Sequence, residues 1–334
     1  MRPLNVLTWH VHGNYLYYLA QAPHRFHLPV REGRPEGYGG RLPGLPWPSN
    51  VVDVPVEEVP TLDLDLVLFQ SRKNYLEDRE ILSDAQQRLP RIFLEHDPPR
   101  ESPTDMRHPF DEPDGLLVHV TAFNELMWDN GRSPTRVIEH GVLVPADVRY
   151  SGEIERGLVV VNGLAGRGRR LGADVFDAVR KKIPLDLVGL GSEAIGGLGE
   201  VAHDELPRLM ARYRFVFNPI RYTSLGLAVC EAMSVGAPIV ALATTEMSTV
   251  VENGVSGFAD TRVDALIGRM RRLLDDPDEA ARLGAGARRT ALRRFGMQRF
   301  VRDWNAAFDD VARGVRTRHA GGDARAARRQ GAHA

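Results

Sequence analysis

Short apolar runs alternate with longer amphipathic ones along the whole chain, the pattern of a parallel sheet whose strands are joined by crossover helices. In the first half this pattern predicts strands at Asn5–Trp9, Leu64–Phe69, Ile92–Leu94, Leu116–Val120 and Arg136–Ile138. It predicts helices at Tyr15–Gln21, Asn74–Arg88 and Ala122–Asn130, the last with Thr121 as its N-cap. A second series begins near Gly157, with strands at Leu158–Val161, Leu185–Leu190, Phe215–Asn218 and Pro238–Leu242. Its predicted helices are Gly172–Lys182, Asp204–Arg212, Leu227–Gly236, Thr261–Asp275, Asp278–Arg294 and Met297–Arg313. Val144–Arg156, with Pro145 and mixed charges, lies between the two series and marks a domain boundary. The expected organisation is α/β: a Rossmann-like domain over residues 1–147, a second over 148–312, and a tail over 313–334. Two such domains leave a cleft between them, and the carboxyl ends of their strands carry its ligands.

Composition narrows the classes. With 334 residues, 43% hydrophobic and 26% charged, the chain is neither wholly disordered nor collagenous nor a coiled coil. A single cysteine excludes an intramolecular disulfide framework and a cysteine-based zinc site, and fits a reducing compartment. No run of 18 uninterrupted apolar residues exists, and the N-terminus enters strand-like sequence directly, so a soluble cytoplasmic protein is expected. The net charge of −1 hides an asymmetry: Arg313–Ala334 carries +5, leaving −6 on the rest. This Ala- and Gly-rich tail has no helical apolar face, so disorder is expected. A basic tail can touch nucleic acid or anionic lipid. The acidic body offers nucleic acid no groove, so no nucleic-acid partner is expected, contact with a membrane surface stays open, and the plain alternative is a solvated extension.

Chemistry concentrates between Asn218 and Phe258. Glu231 sits in the most apolar stretch of that segment, flanked by Val229, Cys230, Ala232 and Met233. A carboxylate in such surroundings needs donors. Either ribose hydroxyls supply them, as they do for the acidic residue of dinucleotide folds, or an arginine from a neighbouring helix pairs with it. Before it, Thr223-Ser224-Leu225-Gly226-Leu227 offers free backbone N–H groups at a helix start, an anion site or a simple turn. A second candidate is Asn162–Gly172, whose four glycines and three arginines (Arg167, Arg169, Arg170) follow a strand and open a helix at Gly172. Such a loop suits a diphosphate, or is a solvated basic turn.

These residues carry a resemblance. Ser224-Leu225-Gly226-Leu227, Glu231-Ala232-Met233, Gly236-Ala237-Pro238-Ile239-Val240-Ala241 and Asn253-Gly254-Val255-Ser256-Gly257 resemble the donor-domain signature of retaining glycosyltransferases of family 4, the glycosyl transferases group 1 of GT-B fold. Val137–Val142 (VIEHGV) resembles the family's V-I-P-N-G-V strand end, Leu116–Asn124 its V-x-A-V-S-x-F segment, and Arg294-Phe295 with the final helix its closing element, which crosses back to the first domain. The resemblance implies a nucleoside diphosphate sugar as donor, its ribose on Glu231 and its diphosphate on the Gly226 loop with Arg169 or Arg170, assisted by Arg167. It implies retention, no cofactor beyond the donor and no metal, the leaving group being neutralised by helix dipoles and arginines. The acceptor stays unknown, as does the oligomeric state. Two departures stand out. Thr223 occupies the place of the family's first glutamate, which approaches the donor sugar, and the first of two basic slots falls near Asn162 or Gly163.

In the first domain His96 closes a buried strand and faces the cleft, where family members place a histidine against the donor sugar; the alternative is a structural strand cap, and Asp97 is a candidate partner fixing its tautomer. Gly13 and Asn14 fall in the family's glycine-rich acceptor loop, and the loop Arg31–Pro48 and the aromatic run Tyr15–Tyr18 are candidates to shape the acceptor site. His10 and His12 point the same way on an extended chain, yet no neighbouring carboxylate or cysteine completes a metal site. Asp63-Leu64-Asp65 matches a D-x-D pattern but lies at a strand entrance, away from the cleft. The competing functions are an epimerase or phosphorylase of the same fold, and a catalytically weak nucleotide-sugar-binding protein.

Overall fold

Runs such as Leu66–Phe69 and Leu116–Val118 are apolar at every position, which only a sheet covered on both faces can satisfy. The computed structural model, which describes residues 2–11 and 13–314, places them in such a sheet. The first domain runs β1 (Asn5–Thr8), α1 (Tyr15–Leu19), β2 (Arg25–Val30), β3 (Val51–Pro55), β4 (Leu66–Phe69), α2 (Arg72–Leu76), β5 (Arg91–Glu95), β6 (Leu116–His119), α3 (Ala122–Met127) and β7 (Thr135–Val137). Its seven strands are all parallel, in the order β3-β2-β1-β4-β5-β6-β7. The second domain runs β8 (Ile154–Val160), α4 (Leu164–Leu171), α5 (Ala173–Arg180), β9 (Leu185–Val188), α6 (Leu206–Arg212), β10 (Tyr213–Asn218), α7 (Leu227–Val235), β11 (Ile239–Leu242), α8 (Met247–Val250), β12 (Gly257–Asp260), α9 (Val263–Asp275), α10 (Pro277–Arg294) and α11 (Met297–Ala312). Its five parallel strands lie in the order β12-β11-β10-β8-β9.

The last helix returns to the first domain. Trp304 on α11 donates its indole N–H to the Tyr15 hydroxyl at 3.2 Å, Asn305 meets His24, and Asp310 pairs with Arg136 at 2.7 Å. Where α10 passes into α11, Arg294 pairs with Glu139, and Arg299 donates to the carbonyls of Glu139 and His140. The inter-domain crossing is thus clamped on its first-domain side.

Several local expectations are corrected. Asn74–Arg88 is not one helix: α2 stops at Leu76, and only short 3-10 turns follow at Asp78–Ile81 and Gln86–Arg88. Asn74 and Lys73 both donate to Asp78, and buried Gln86 donates to the carbonyls of Val59 and Leu62. Side-chain competition and tertiary pull therefore override helix periodicity. α3 ends at Met127 because Trp128 turns extended and gives its indole N–H to the Asp97 carbonyl. The glycine-rich Asn162–Gly172 is not a loop opening at Gly172; from Leu164 it is helix, broken in direction only at Gly168. Strands β2, β3 and β12 escaped prediction: His27 and Pro29 interrupt the apolar run of the first, Asp53 and Pro55 that of the second, and the third is four residues long and begins with glycine. Arg31–Pro48 remains a loop, tethered by bridges from Gly37 to His10 and from Gly39 to Val30. His12 and the tail from residue 315 lie outside the described residues.

Candidate functional site

Parallel topology brings the carboxyl ends of β1, β5, β8 and β10 to the seam between the domains, and a cleft of about 820 Å³ opens there. The first domain contributes Gly13, Asn14, Tyr15, His96, Asp97, Arg100 and His140; the second contributes Asn162, Arg167, His203, Thr223 to Ala228 and Glu231. A second cavity, about 350 Å³, lies on the outer flank of the second domain, where Glu279 pairs with Arg272 and Arg282. The expected site residues other than Arg169 and Arg170 line this cleft.

Glu231 stands in the second turn of α7, only 2% exposed. Among the described residues no arginine pairs with it; the Tyr18 hydroxyl, from α1 of the other domain, donates to its Oε1 at 2.6 Å. Burial, only partly offset by that bond, pushes the Glu231 carboxyl up to about 7. The Tyr18 hydroxyl also lies 3.3 Å from Nε2 of His203, whose Nδ1 meets the Asn14 amide at 2.7 Å. Asn14 donating to Nδ1 leaves the hydrogen of a neutral His203 on Nε2, so bonds run in one direction from Asn14 through His203 and Tyr18 to Glu231. Burial lowers the His203 pKa, favouring that neutral form. None of these links was visible in the sequence, since Tyr18 and Glu231 are 213 residues apart.

Gly226 is the N-cap of α7, and a Cβ there would project into open space. The first N–H groups of a helix have no intrahelical partner, and this helix start lines the cleft. Arg167, on α4, lines the same space. Arg170 is drawn close as well: burial, then the positive charges of Arg100 and Arg167, lower its pKa. Guanidinium groups from both domains thus converge, with Asp97 paired to Arg100 at 2.5 Å. Arg169 does not join them; its side chain is largely exposed and pairs with Asp174, which Arg221 shares.

His96 lines the cleft, its ring edge-on to Tyr15 at 4.8 Å between centroids. Its Nε2 meets Oε1 of buried Gln70 at 3.2 Å. The Gln70 amide nitrogen is committed to Thr8 Oγ1 and the Trp9 carbonyl, so its oxygen must face His96 and Nε2 carries the hydrogen. Gln70 thus sets the tautomer of His96, and the Asp97 carboxylate pairs with Arg100. Thr223 lines the cleft beside Ser224 and Leu225, and the Leu225 carbonyl accepts from Nε2 of His140 at 2.7 Å. Gly13 adopts φ +36 with open space beside it, and its carbonyl meets His10 Nε2. Asp65 of the D-x-D pattern is structural: it accepts from the Asn5 N–H and pairs with Arg2. Among the described residues no group of three His, Cys, Asp or Glu side chains could hold a metal ion, and no helix is long and apolar enough to cross a membrane.

Two facing parallel-sheet domains, a cleft at their strand ends and a final helix returning to the first domain define the GT-B architecture. Its likeness to a solved structure spans nearly the whole chain: the Anabaena protein HepE, determined in complex with UDP and glucose, superposes with a TM-score of 0.68 at 15% identity, covering 92% of this chain and 99% of that one. Residues 164–276, from α4 to the end of α9, match the family model described as glycosyl transferases group 1. Among curated proteins, the D-inositol 3-phosphate glycosyltransferase of Salinispora tropica is 35% identical over 117 residues, 34% of this chain and 24% of that protein. The MMP alpha-(1->4)-mannosyltransferase of Mycolicibacterium hassiacum is 28% identical over 214 residues, 56% of this chain and 51% of that protein. The matched segments thus span from about a quarter to a half of these relatives.

Proposed function

We propose that this chain is a retaining glycosyltransferase that moves a hexose from a nucleoside diphosphate sugar to an acceptor seated in the first domain, without a metal ion or further cofactor. The observation that carries the proposal is Glu231: a carboxylate held out of water at the cleft floor, one turn from the exposed N–H groups of α7 and across from Arg167. Ribose hydroxyls are the donors such a carboxylate lacks. The helix start and the arginines neutralise the diphosphate as its bond to the sugar breaks. His96, with its hydrogen on Nε2, presses against the sugar from the first domain. The departing phosphate oxygen takes the acceptor hydroxyl's proton, so the new bond forms on the face the leaving group vacates.

The test is a thermal-shift screen against UDP-, GDP-, ADP- and TDP-sugars, followed by donor turnover. A ligand at about 100 times its dissociation constant adds about 2.7 kcal/mol. One base is expected to stand out and its sugar to be released or transferred. A flat response to every nucleotide overturns the reading, and binding without turnover favours a nucleotide-sugar-binding protein, the role Thr223 in place of a glutamate suits.

A pH signature follows from the raised carboxyl. Ribose hydroxyls donate to the ionised form, so below about pH 7 binding must first remove a proton from Glu231. Affinity for the free nucleoside diphosphate is expected to rise from pH 5.5 to about 8 and then level, with proton release on binding at the acid end. Calorimetric titration in two buffers of different ionisation enthalpy measures this directly; identical heats in both contradict it.

A further inference from the structure

The cavity of about 350 Å³ on the outer flank of the second domain shares no lining residue with the cleft. It opens where β12, α9 and the first turns of α10 meet, and the spacing along α9 explains its chemistry. Leu266, Ile267, Met270 and Leu273 form the buried stripe of that helix. Arg269 and Arg272, one turn apart beside the stripe, line the cavity, and α10 adds Arg282 and buried Glu279. Phe258 and Leu266, both buried, give it an apolar floor. The acids on the wall are largely spent. Asp260 accepts on both oxygens from Arg262, and Glu279 is shared between Nε of Arg272 and, at 3.6 Å, Arg282. Arg282 is further anchored by donating to the Gly254 carbonyl at 3.0 Å. Among the described residues Arg269 has no carboxylate partner; its guanidinium lies over the Phe258 ring, 4.7 Å from the centroid. Three guanidinium groups against the one carboxylate of Glu279 leave a surplus of two positive charges on the wall. The surplus is local, since the chain before Arg313 is acidic overall. Beside an apolar floor, such charges are screened less than in open water.

We infer that this cavity is a second ligand site, separate from the cleft, and that it takes a phosphate monoester, either a soluble one or one borne by a lipid head group. The charge selects the chemistry. A phosphate monoester brings about two negative charges at neutral pH, matching the surplus, whereas a single carboxylate brings one. Its three oxygens also suit guanidinium forks, which bind phosphate in pairs of parallel hydrogen bonds. Arg269 and Arg272 hold the phosphate, Arg272 through the terminal nitrogens that its bond to Glu279 leaves over, and Arg282 faces them from α10. The volume is at the lower end of the range of small-molecule sites, so the organic part of a soluble ligand is small.

The test titrates the full chain calorimetrically with inorganic phosphate and with glucose 6-phosphate, glucose alone being the control. Sedimentation with vesicles of equimolar phosphatidylcholine and phosphatidic acid, against phosphatidylcholine alone, is the lipid arm. Arg269→Gln is the variant of choice, because Arg269 has no ion pair to lose and an unchanged melting temperature shows the fold intact. Arg167→Gln, in the cleft, is the companion. Loss of one charge-assisted hydrogen bond corresponds to about a tenfold change in affinity. Arg269→Gln is therefore expected to weaken binding of phosphate or the phosphate ester by about tenfold, Arg269→Lys by less, and Arg167→Gln by no more than about twofold. Binding of glucose 6-phosphate or inorganic phosphate assigns the site to a soluble monoester; binding of the phosphatidic acid vesicles alone, lost in Arg269→Gln, assigns it to a lipid head group. No binding of any probe to wild type, or equal affinity in wild type and Arg269→Gln, overturns the inference. Loss through Arg167→Gln alone overturns it too, by placing the phosphate in the cleft. Nucleoside diphosphates are expected to show the opposite dependence, weakened by Arg167→Gln and not by Arg269→Gln, so this site and the donor reading stand or fall separately.

Discussion

Glu231→Gln is expected to lower affinity for a nucleoside diphosphate by about 100-fold and, above pH 7, to make the protein more stable. The two effects come from one feature. As a ligand site, Glu231 offers charged acceptors to ribose hydroxyls, and charge-assisted hydrogen bonds contribute about 1.5–3 kcal/mol each. Glutamine retains an oxygen for Tyr18 but loses the charge, so most of that contribution goes. As part of the fold, the carboxylate is a liability: burial raises its pKa from 4.5 to about 7. A raised carboxyl contributes most to stability below its unfolded value and loses that contribution as pH rises through its folded value. At pH 8 this amounts to a penalty of about 3 kcal/mol, taking 1.36 kcal/mol per unit. Glutamine removes it. Thermal unfolding of the two proteins is expected to diverge from pH 5 to pH 8 in favour of Glu231→Gln, while titration shows binding lost. A variant that unfolds more easily at pH 8 would show that Glu231 is a structural ion-pair carboxylate. Stability surrendered at a binding site in this way is a common mark of function.

How much of this was legible in the sequence depends on how far apart the interacting residues lie. The strand–loop–helix unit around Gly226 and Glu231 has a local pattern, and the structure matches it to within a residue or two. So does the exit of β5 at His96, since a buried apolar run followed by polar residues marks a strand's carboxyl end. What the pattern could not show was partnership. Whether Glu231 meets an arginine or a hydroxyl depends on α1, more than two hundred positions earlier. Arg169 and Arg170 are adjacent and chemically alike, yet helix formation from Leu164 turns one toward Asp174 and sets the other near Arg100 and Arg167, which line the cleft. Reading that stretch as a loop hid the difference, because a loop assigns no faces. Gln70 was missed for a related reason: a lone glutamine after an apolar strand carries no signal until the fold brings His96 beside it.

Gly172 carries a large effect expected from packing alone, and it reaches the site through the arginine-bearing helix. It ends α4 and starts α5 at φ +84, a conformation that costs any L side chain about 1 kcal/mol or more. A Cβ on it would also fall 2.0 Å from the Pro219 carbonyl oxygen, far inside contact distance, and that oxygen is backbone. The close approach has a purpose: next to it, the N–H groups of Arg221 and Tyr222 both donate to the Arg170 carbonyl. These bonds fasten the end of α4 to the loop that leads into Thr223 and Gly226. Gly172→Ala must push the two apart, at a cost of about 3 kcal/mol when strain and overpacking are combined. For a domain of this size that is a fall of roughly 6–12 °C in Tm. Gly163→Ala is the control, since Gly163 also has positive φ, at +63, but the nearest atom to its Cβ is Arg167 Nε at 3.8 Å. It is expected to cost only the conformational part, about 1 kcal/mol. Equal melting temperatures for the two variants would show that the backbone contact at Pro219 is not what holds α4. If Gly172→Ala melts lower and also weakens diphosphate binding at a temperature where it remains folded, the seating of α4 on that loop is what places Arg167 and Arg170 against the ligand.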